Sequence, residues 1–490
     1  MRLVWVWGVV IALAISCTTK EQKQEALARQ YCGSCHTYPE PSLLSKASWR
    51  TVMPQMAVRM GISISTLLRL SEADYPYVMQ TLPKSPMISE RDFESIMAYY
   101  EREAPDSLAL PPDFATRELD QFDITELRVF NRRPTICMLV ADTANGRLWM
   151  ANRDRAVYEY DYTFKRLDSI KVDSPASGIV FQNDNENLVS LMGYMDPNDQ
   201  PLGSVVRLNK DKSITTLADS IKRPVFIEQA DFNSDEQKDI VVCAYGNYAG
   251  RLSVYENNNG EYTEYTISAL PGARKVVVKD FTNDGMADIL VMFSQGDENI
   301  SLYTNAGSFR FRVTTLLKFP PVYGSNYFDI VDFNKDGFWD IVTANGDNAD
   351  YSIELKPYHG VRIFLNDGNN QFRESRFQQL YGAQAVLARD FDKDGDIDLA
   401  ATSFFPDFKN HPERGFVYLE NREGNLEPFV TKMAADARWM VMETADLDAD
   451  GYTDIILAAL NFNTGVPETL DSVWRANPVD VMVLKNKGKK

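Results

Sequence analysis

Two residue patterns in this 490-residue chain could carry chemistry. The first is Cys32-Gly-Ser-Cys35-His36, in the stretch QYCGSCHTY, which holds two of the five cysteines and one of the three histidines. At this composition its chance occurrence is about three in ten thousand. A zinc site would need four ligands, usually from two close pairs. Cys137 in TICMLVAD and Cys243 in DIVVCAYG lie singly in apolar, strand-like runs, so no second pair exists. A redox disulfide would want a βαβ setting, whereas the flanks here read as helices. Covalent attachment of a c-type haem needs two thiols spaced to meet two vinyl groups and an adjacent imidazole for the iron, and CxxCH supplies both.

The second axial ligand is expected to be a methionine, because His36 is the only histidine before His359. In SWRTVMPQMAVRMGI, Met53, Met56 and Met60 recur at helical spacing, and Met87 lies just ahead of the last helix of this region. Met56 is favoured, with Met87 and Met60 as alternatives. EQKQEALARQYC reads as a helix leading into the site. SERDFESIMAYYEREAP opens with Ser89 as N-cap and Asp92 three residues on, places Phe93, Ile96, Met97 and Tyr100 on one face, and is stopped by Pro105. The arrangement resembles the cytochrome c domain, whose first helix carries CxxCH and whose last carries an aromatic face. That resemblance implies a small all-α domain over residues 17–104, with haem c held by Cys32, Cys35, His36 and Met56.

The second pattern recurs five times: Asp231-FNSDEQK-Asp239, Asp280-FTNDGMA-Asp288, Asp332-FNKDGFW-Asp340, Asp390-FDKDGDI-Asp398 and Asp446-LDADGYT-Asp454. Each copy runs into an apolar strand such as DIVVCAY or DIILAAL, at intervals of 49, 52, 58 and 56 residues. Oxygen donors at positions 1, 3, 5 and 9, with a backbone carbonyl at 7, can wrap a hard cation, and Gly at position 6 permits the sharp turn. The candidate calcium ligands are therefore Asp231, Asn233, Asp235 and Asp239; Asp280, Thr282, Asp284 and Asp288; Asp332, Asn334, Asp336 and Asp340; Asp390, Asp392, Asp394 and Asp398; and Asp446, Asp448, Asp450 and Asp454. Glu236 stands where the other copies have Gly, which predicts a strained turn. The copies resemble FG-GAP (VCBS-type) repeats of integrin-α-like β-propellers. The likeness is clear from about residue 223 to 486, and the strand-and-turn rhythm of 124–222 fits two further blades, making seven.

The first residues, MRLVWVWGVVIALAISCTTKEQKQ, place an apolar run behind one Arg, too short to span a bilayer as a helix but suited to a secretory signal. Ala14-Ile15-Ser16-Cys17 resembles a bacterial lipobox, implying lipidation at Cys17 and an oxidising cell-envelope location, periplasmic or surface-facing. The expected organisation is a signal peptide over 1–16, a haem domain over 17–104, a Pro-rich linker over 105–123 and a propeller over 124–490.

The formal charge of −18 argues against nucleic-acid binding. Seventeen of the motif positions are carboxylates, and five bound Ca²⁺ would bring the charge to about −8. The loops at the propeller end opposite the aspartates, such as SQGDENI and FFPDFKNHPERG, are rich in acids, amides and aromatics suited to docking. His359 and His411 fall in these loops and are expected to be solvated. No GxSxG, HExxH, Walker or Rossmann pattern occurs. The combined reading is a membrane-anchored electron carrier whose propeller docks a redox partner or small-molecule substrate. The alternative is a binding or adhesion propeller for a glycan or protein, with an accessory haem.

Overall fold

A computed structural model describes residues 19–62, 73–130, 132–183, 186–346 and 352–488. The signal segment and Cys17 lie outside the described residues. Strand alternation dominates from residue 122 onward, and the strands assemble into seven antiparallel sheets arranged as propeller blades. In chain order the blades span residues 136–171, 176–221, 224–268, 273–318, 325–379, 383–430 and 439–486. First strands of successive blades touch one another and form the inner ring.

Burial changes from strand to strand within a blade, and the side chains explain it. Second strands such as Asp239–Ala244, Asp288–Phe293 and Asp454–Ala459 are buried at every position, because each is sandwiched between neighbouring blades. Their continuous Val/Ile/Leu runs suit that position, and each fully buried side chain contributes roughly 1.5–3 kcal/mol. Fourth strands such as Glu261–Ser268 are mostly exposed. The inner strands carry charges toward the axis, where Arg389 pairs with Asp329 at 2.7 Å. Nearby, the Lys275 ammonium sits 3.6 Å from the centre of the Tyr327 ring. Burial lowers the Lys275 pKa to about 8 despite the surrounding carboxylates.

The ring closes through the N-terminal side of the propeller. Phe122–Leu127 pairs antiparallel with the last strand, Val481–Asn486, and supplies the outer strand of blade seven. Arg117–Glu118 adds a short parallel strand to blade six.

The expected small all-α cytochrome c-like domain is not there. Helices make up only 15% of the chain, and the N-terminal ones form a short helical region, not a sizeable domain. They are Lys20–Cys32, Lys46–Arg59, the single turn Tyr75–Met79 and Glu90–Glu103. Local signals set their ends: a Thr19/Gln22 capping box starts the first, and Ser89 caps the last by accepting from the Asp92 amide. Their small core leans on the propeller, whose Val322 packs against it. Helical spacing in the sequence reports which residues are helical. How little of the chain that helix-forming segment occupies as a unit is decided by packing.

Candidate functional site

The helical region rests on the propeller end opposite the aspartate loops. Ser45 and Ser48 donate their hydroxyls to Glu354 at 3.1 and 2.8 Å, and Tyr358 donates to the Leu43 carbonyl at 2.7 Å. The Arg59 guanidinium lies 3.9 Å from the centre of the Tyr248 ring. The surface expected to dock a ligand thus carries, in part, the chain's own N-terminal segment.

A cavity of about 370 Å³ opens at this seam. Cys32, Cys35 and His36 line it from the end of the first helix, and Met53, Met56, Met60 and Met87 line it as well. The propeller supplies further lining, including Gln295, Glu298, Val322 and Lys356. The sequence-predicted thiols, imidazole and all three candidate methionines therefore meet in one space. Cys35 is exposed while Cys32 is buried, and burial pushes the Cys32 thiol up to about 11. His36 Nδ1 lies 2.9 Å from the Thr37 carbonyl oxygen. A carbonyl only accepts, so Nδ1 is the donor in this contact and Nε2 is the ring nitrogen it leaves uncommitted. Met53 and Met60 are buried in the helical core, whereas Met56 is half-buried and outside that core. Met97, placed on the inner face by its spacing, is instead 37% exposed, and Tyr99 is buried.

At the other end, five loops join the first and second strands of blades three to seven and share one geometry. The position-1 carboxylate of each accepts the position-6 amide at 2.9–3.0 Å. Position 9 (Asp239, Asp288, Asp340, Asp398 and Asp454) is fully buried. One oxygen of each accepts the position-2 amide at 2.9–3.2 Å. The other accepts the amide of Asn257, Asn305, Asn366, Asn421 or Asn486 at 2.7–2.9 Å. Burial raises the pKa of each position-9 acid, in Asp398 to about 7. Carboxylate oxygens of Asp390, Asp392 and Asp398 lie within 4.8 Å of one another, as do those of Asp446, Asp448 and Asp454. Asp390 Oδ1 is buried without a donor. Crowded, desolvated carboxylates with an orphaned oxygen fit a divalent cation, which would offset both desolvation and mutual repulsion.

Positions 4 and 6 of every loop are left-handed, with φ of +58° to +64° and +69° to +96°. Glu236 adopts the position-6 conformation at +69°, so the loop keeps its shape where Gly is missing, at a steric cost. Sequence reasoning missed the five asparagines. Their signal was present, since each third strand carries an Asn at or next to its end, two or three residues before a Gly, as in YTNAG and LKNKG. Lys356 and Glu298 carried no local signal.

The two remaining histidines are not both solvated. His359 is fully buried, and burial holds its pKa well below the usual value. His411 lies between Asp113 at 3.2 Å and Glu413 at 3.1 Å. Among the described residues, no cluster of potential metal ligands includes either.

A family model described as FG-GAP-like repeat matches residues 231–291, 280–343 and 390–457. These stretches are FG-GAP repeats within a seven-bladed β-propeller. No curated protein matches the chain. Among solved structures, the Neurospora crassa Pan2 WD40 domain is similar at 13% identity and a TM-score of 0.48, over 76% of this chain and 98% of that one. The N-terminal domain of Nup159 is similar at 10% identity and a TM-score of 0.44, over 77% of this chain and 99% of that one.

Proposed function

We propose that this FG-GAP propeller is a binding scaffold that carries a covalently attached c-type haem at the seam with its N-terminal helices and relays electrons to a docked redox partner or from a small-molecule substrate. The observation that supports this reading is the convergence of Cys32, Cys35, His36 and a set of methionines on one cavity. When bound, a haem supplies a one-electron couple. Cys32 and Cys35 would each add S–H across a vinyl group, forming a C–S and a C–H bond, so attachment consumes no electrons. His36, its ring held by the Nδ1 contact to the Thr37 carbonyl, would supply an imidazole donor to the iron. Met56 is the favoured partner, since Met53 and Met60 belong to the helical core and Met87 is 43% exposed. Met56 would supply a soft thioether donor to the iron alongside the His36 imidazole.

The same reading assigns Ca²⁺ to the five aspartate loops as structural ions. It places the protein in a bacterial cell envelope, anchored by a lipid on Cys17, and gives it no nucleic-acid partner.

The deciding experiment is the visible spectrum, oxidised and dithionite-reduced, of protein exported from a host that matures c-type haem. Sharp reduced bands that survive acid–acetone extraction are expected, with the far-red band of Met–His ligation lost in Met56→Ala. A folded, exported protein with no such bands would overturn the haem assignment. It would leave the second reading, a binding propeller with a Cys32–Cys35 disulfide, which the FG-GAP repeats support on their own.

A further inference from the structure

The five aspartate loops are not alike in charge. Those of blades three, four and five carry three motif carboxylates each, whereas those of blades six and seven carry four, and blade six adds Asp396 at position 7. The two richer loops are also the ones in which three carboxylates come within 4.8 Å of one another. Each of these two receives a lysine from outside the loop. Lys485 Nζ lies 3.4 Å from Asp448 Oδ2, at position 3 of the blade-seven loop, and Lys335 Nζ lies 2.7 Å from Asp396 Oδ1 in the blade-six loop. The ion pairs described within blades three, four and five go elsewhere: Arg251 to Glu264, Lys318 to Asp297 and Arg362 to Glu374.

Place in the fold explains the reach of both lysines. Lys485 stands on the third strand of blade seven, one residue before Asn486, whose amide donates to Asp454 at 2.7 Å. The same strand position in blade three holds Glu256, which accepts from the position-3 Asn233 side chain at 3.4 Å. This strand position therefore faces position 3 of its loop, where a cation ligand is expected. Lys335 holds position 4 of the blade-five loop, where the backbone is left-handed at φ +62°, and its side chain crosses to the next blade. Lys393, at the same position of blade six, crosses likewise and ends 4.2 Å from the Tyr452 ring centre. The Lys485 and Asp448 side chains are 47% and 39% exposed. An exposed pair adds little to stability, but this one places an ammonium among the carboxylates that a divalent cation needs.

Resting on the calcium reading above, we propose that Lys485 and Lys335 are resident counter-cations that set the calcium affinity of the blade-seven and blade-six loops. Each lowers the local negative charge, and Lys485 also holds a candidate ligand carboxylate that calcium must take from it. Removing a unit charge roughly 6 Å from a divalent ion, partly screened by salt, should tighten binding about fivefold.

The test is calorimetric calcium titration of the full exported protein, stripped with chelator, and of its lysine variants. Lys485→Gln is expected to tighten one site about fivefold, Lys485→Glu to tighten it further, and Lys485→Arg to leave it as in wild type. The gain should shrink in high salt. Lys335→Gln should tighten a second site, whereas Lys409→Gln, at an exposed lysine on the opposite end of blade six, should tighten none. Affinities that are unchanged across the Lys485 series, or that follow side-chain size and not charge, would overturn the proposal while leaving the calcium sites in place. If Lys335→Gln does not fold, the Lys485 series decides alone. Wild-type protein that takes up no calcium overturns the calcium reading itself, a separate and visible failure.

Discussion

The four described cysteines illustrate how environment separates residues of one type. Burial disfavours a thiolate, so the Cys32 pKa rises to about 11 and that of Cys137 to about 12, with Cys243 higher still. Cys35 alone is exposed. In reduced, haem-free protein at pH 8, iodoacetamide should therefore modify Cys35 and spare these three, as read by peptide mass spectrometry. Because thiolate fraction grows about tenfold per pH unit below the pKa, Cys32 should begin to react as pH approaches 11. Equal labelling of Cys32 and Cys35 at pH 8 would contradict the burial. In the haem-bearing protein neither should react.

At the scale of the element, the aspartate loop is a repeated device whose parts can be tested singly. Glu236 occupies a left-handed position that Gly holds in the other four loops. Glu236→Gly should raise stability by about 1 kcal/mol in calcium, measured by urea unfolding. A loss of stability would mean that the Glu side chain makes a compensating contact. The position-9 acid has a different role, tying its loop to the third strand of its blade. Asp340→Ala strips acceptors from the Phe333 and Asn366 amides and should cost about 2–4 kcal/mol even in chelator. A purely ionic role predicts no cost once calcium is removed.

For the whole molecule, the closing strand holds the ring, and the proposed ions would add to it. Phe122 is 3% exposed and lies edge-on to Phe391 and Tyr418, with ring centres 6.4 and 5.4 Å away. Phe122→Ala should cost about 3–5 kcal/mol, whereas Phe338→Ala, at a side chain 44% exposed, should stay within about 0.5 kcal/mol. In millimolar calcium each occupied loop of extracellular-type affinity adds on the order of 1 kcal/mol. Removing calcium with a chelator should lower the melting temperature and restoring it should recover the loss; an unmoved melting curve would remove the calcium assignment.

The repeats were legible because the loop's turn and its buried position-9 acid demand particular side chains at particular offsets, and because a strand buried on both faces must be apolar throughout. Those requirements are local, so the five Asp loops, the strands after them and the number of blades could be read from the chain, as could the Ser89 cap. That Cys32, Cys35 and His36 lie close together followed from their spacing alone. What tertiary structure alone decided is whatever depends on residues far apart in sequence. Only packing shows that the helices form a short region seated on the propeller, that Phe122–Leu127 closes blade seven, and that His359 is buried. The same holds for Lys356 and Glu298 reaching the cavity of Cys32, since no offset along the chain encodes a contact across more than two hundred residues.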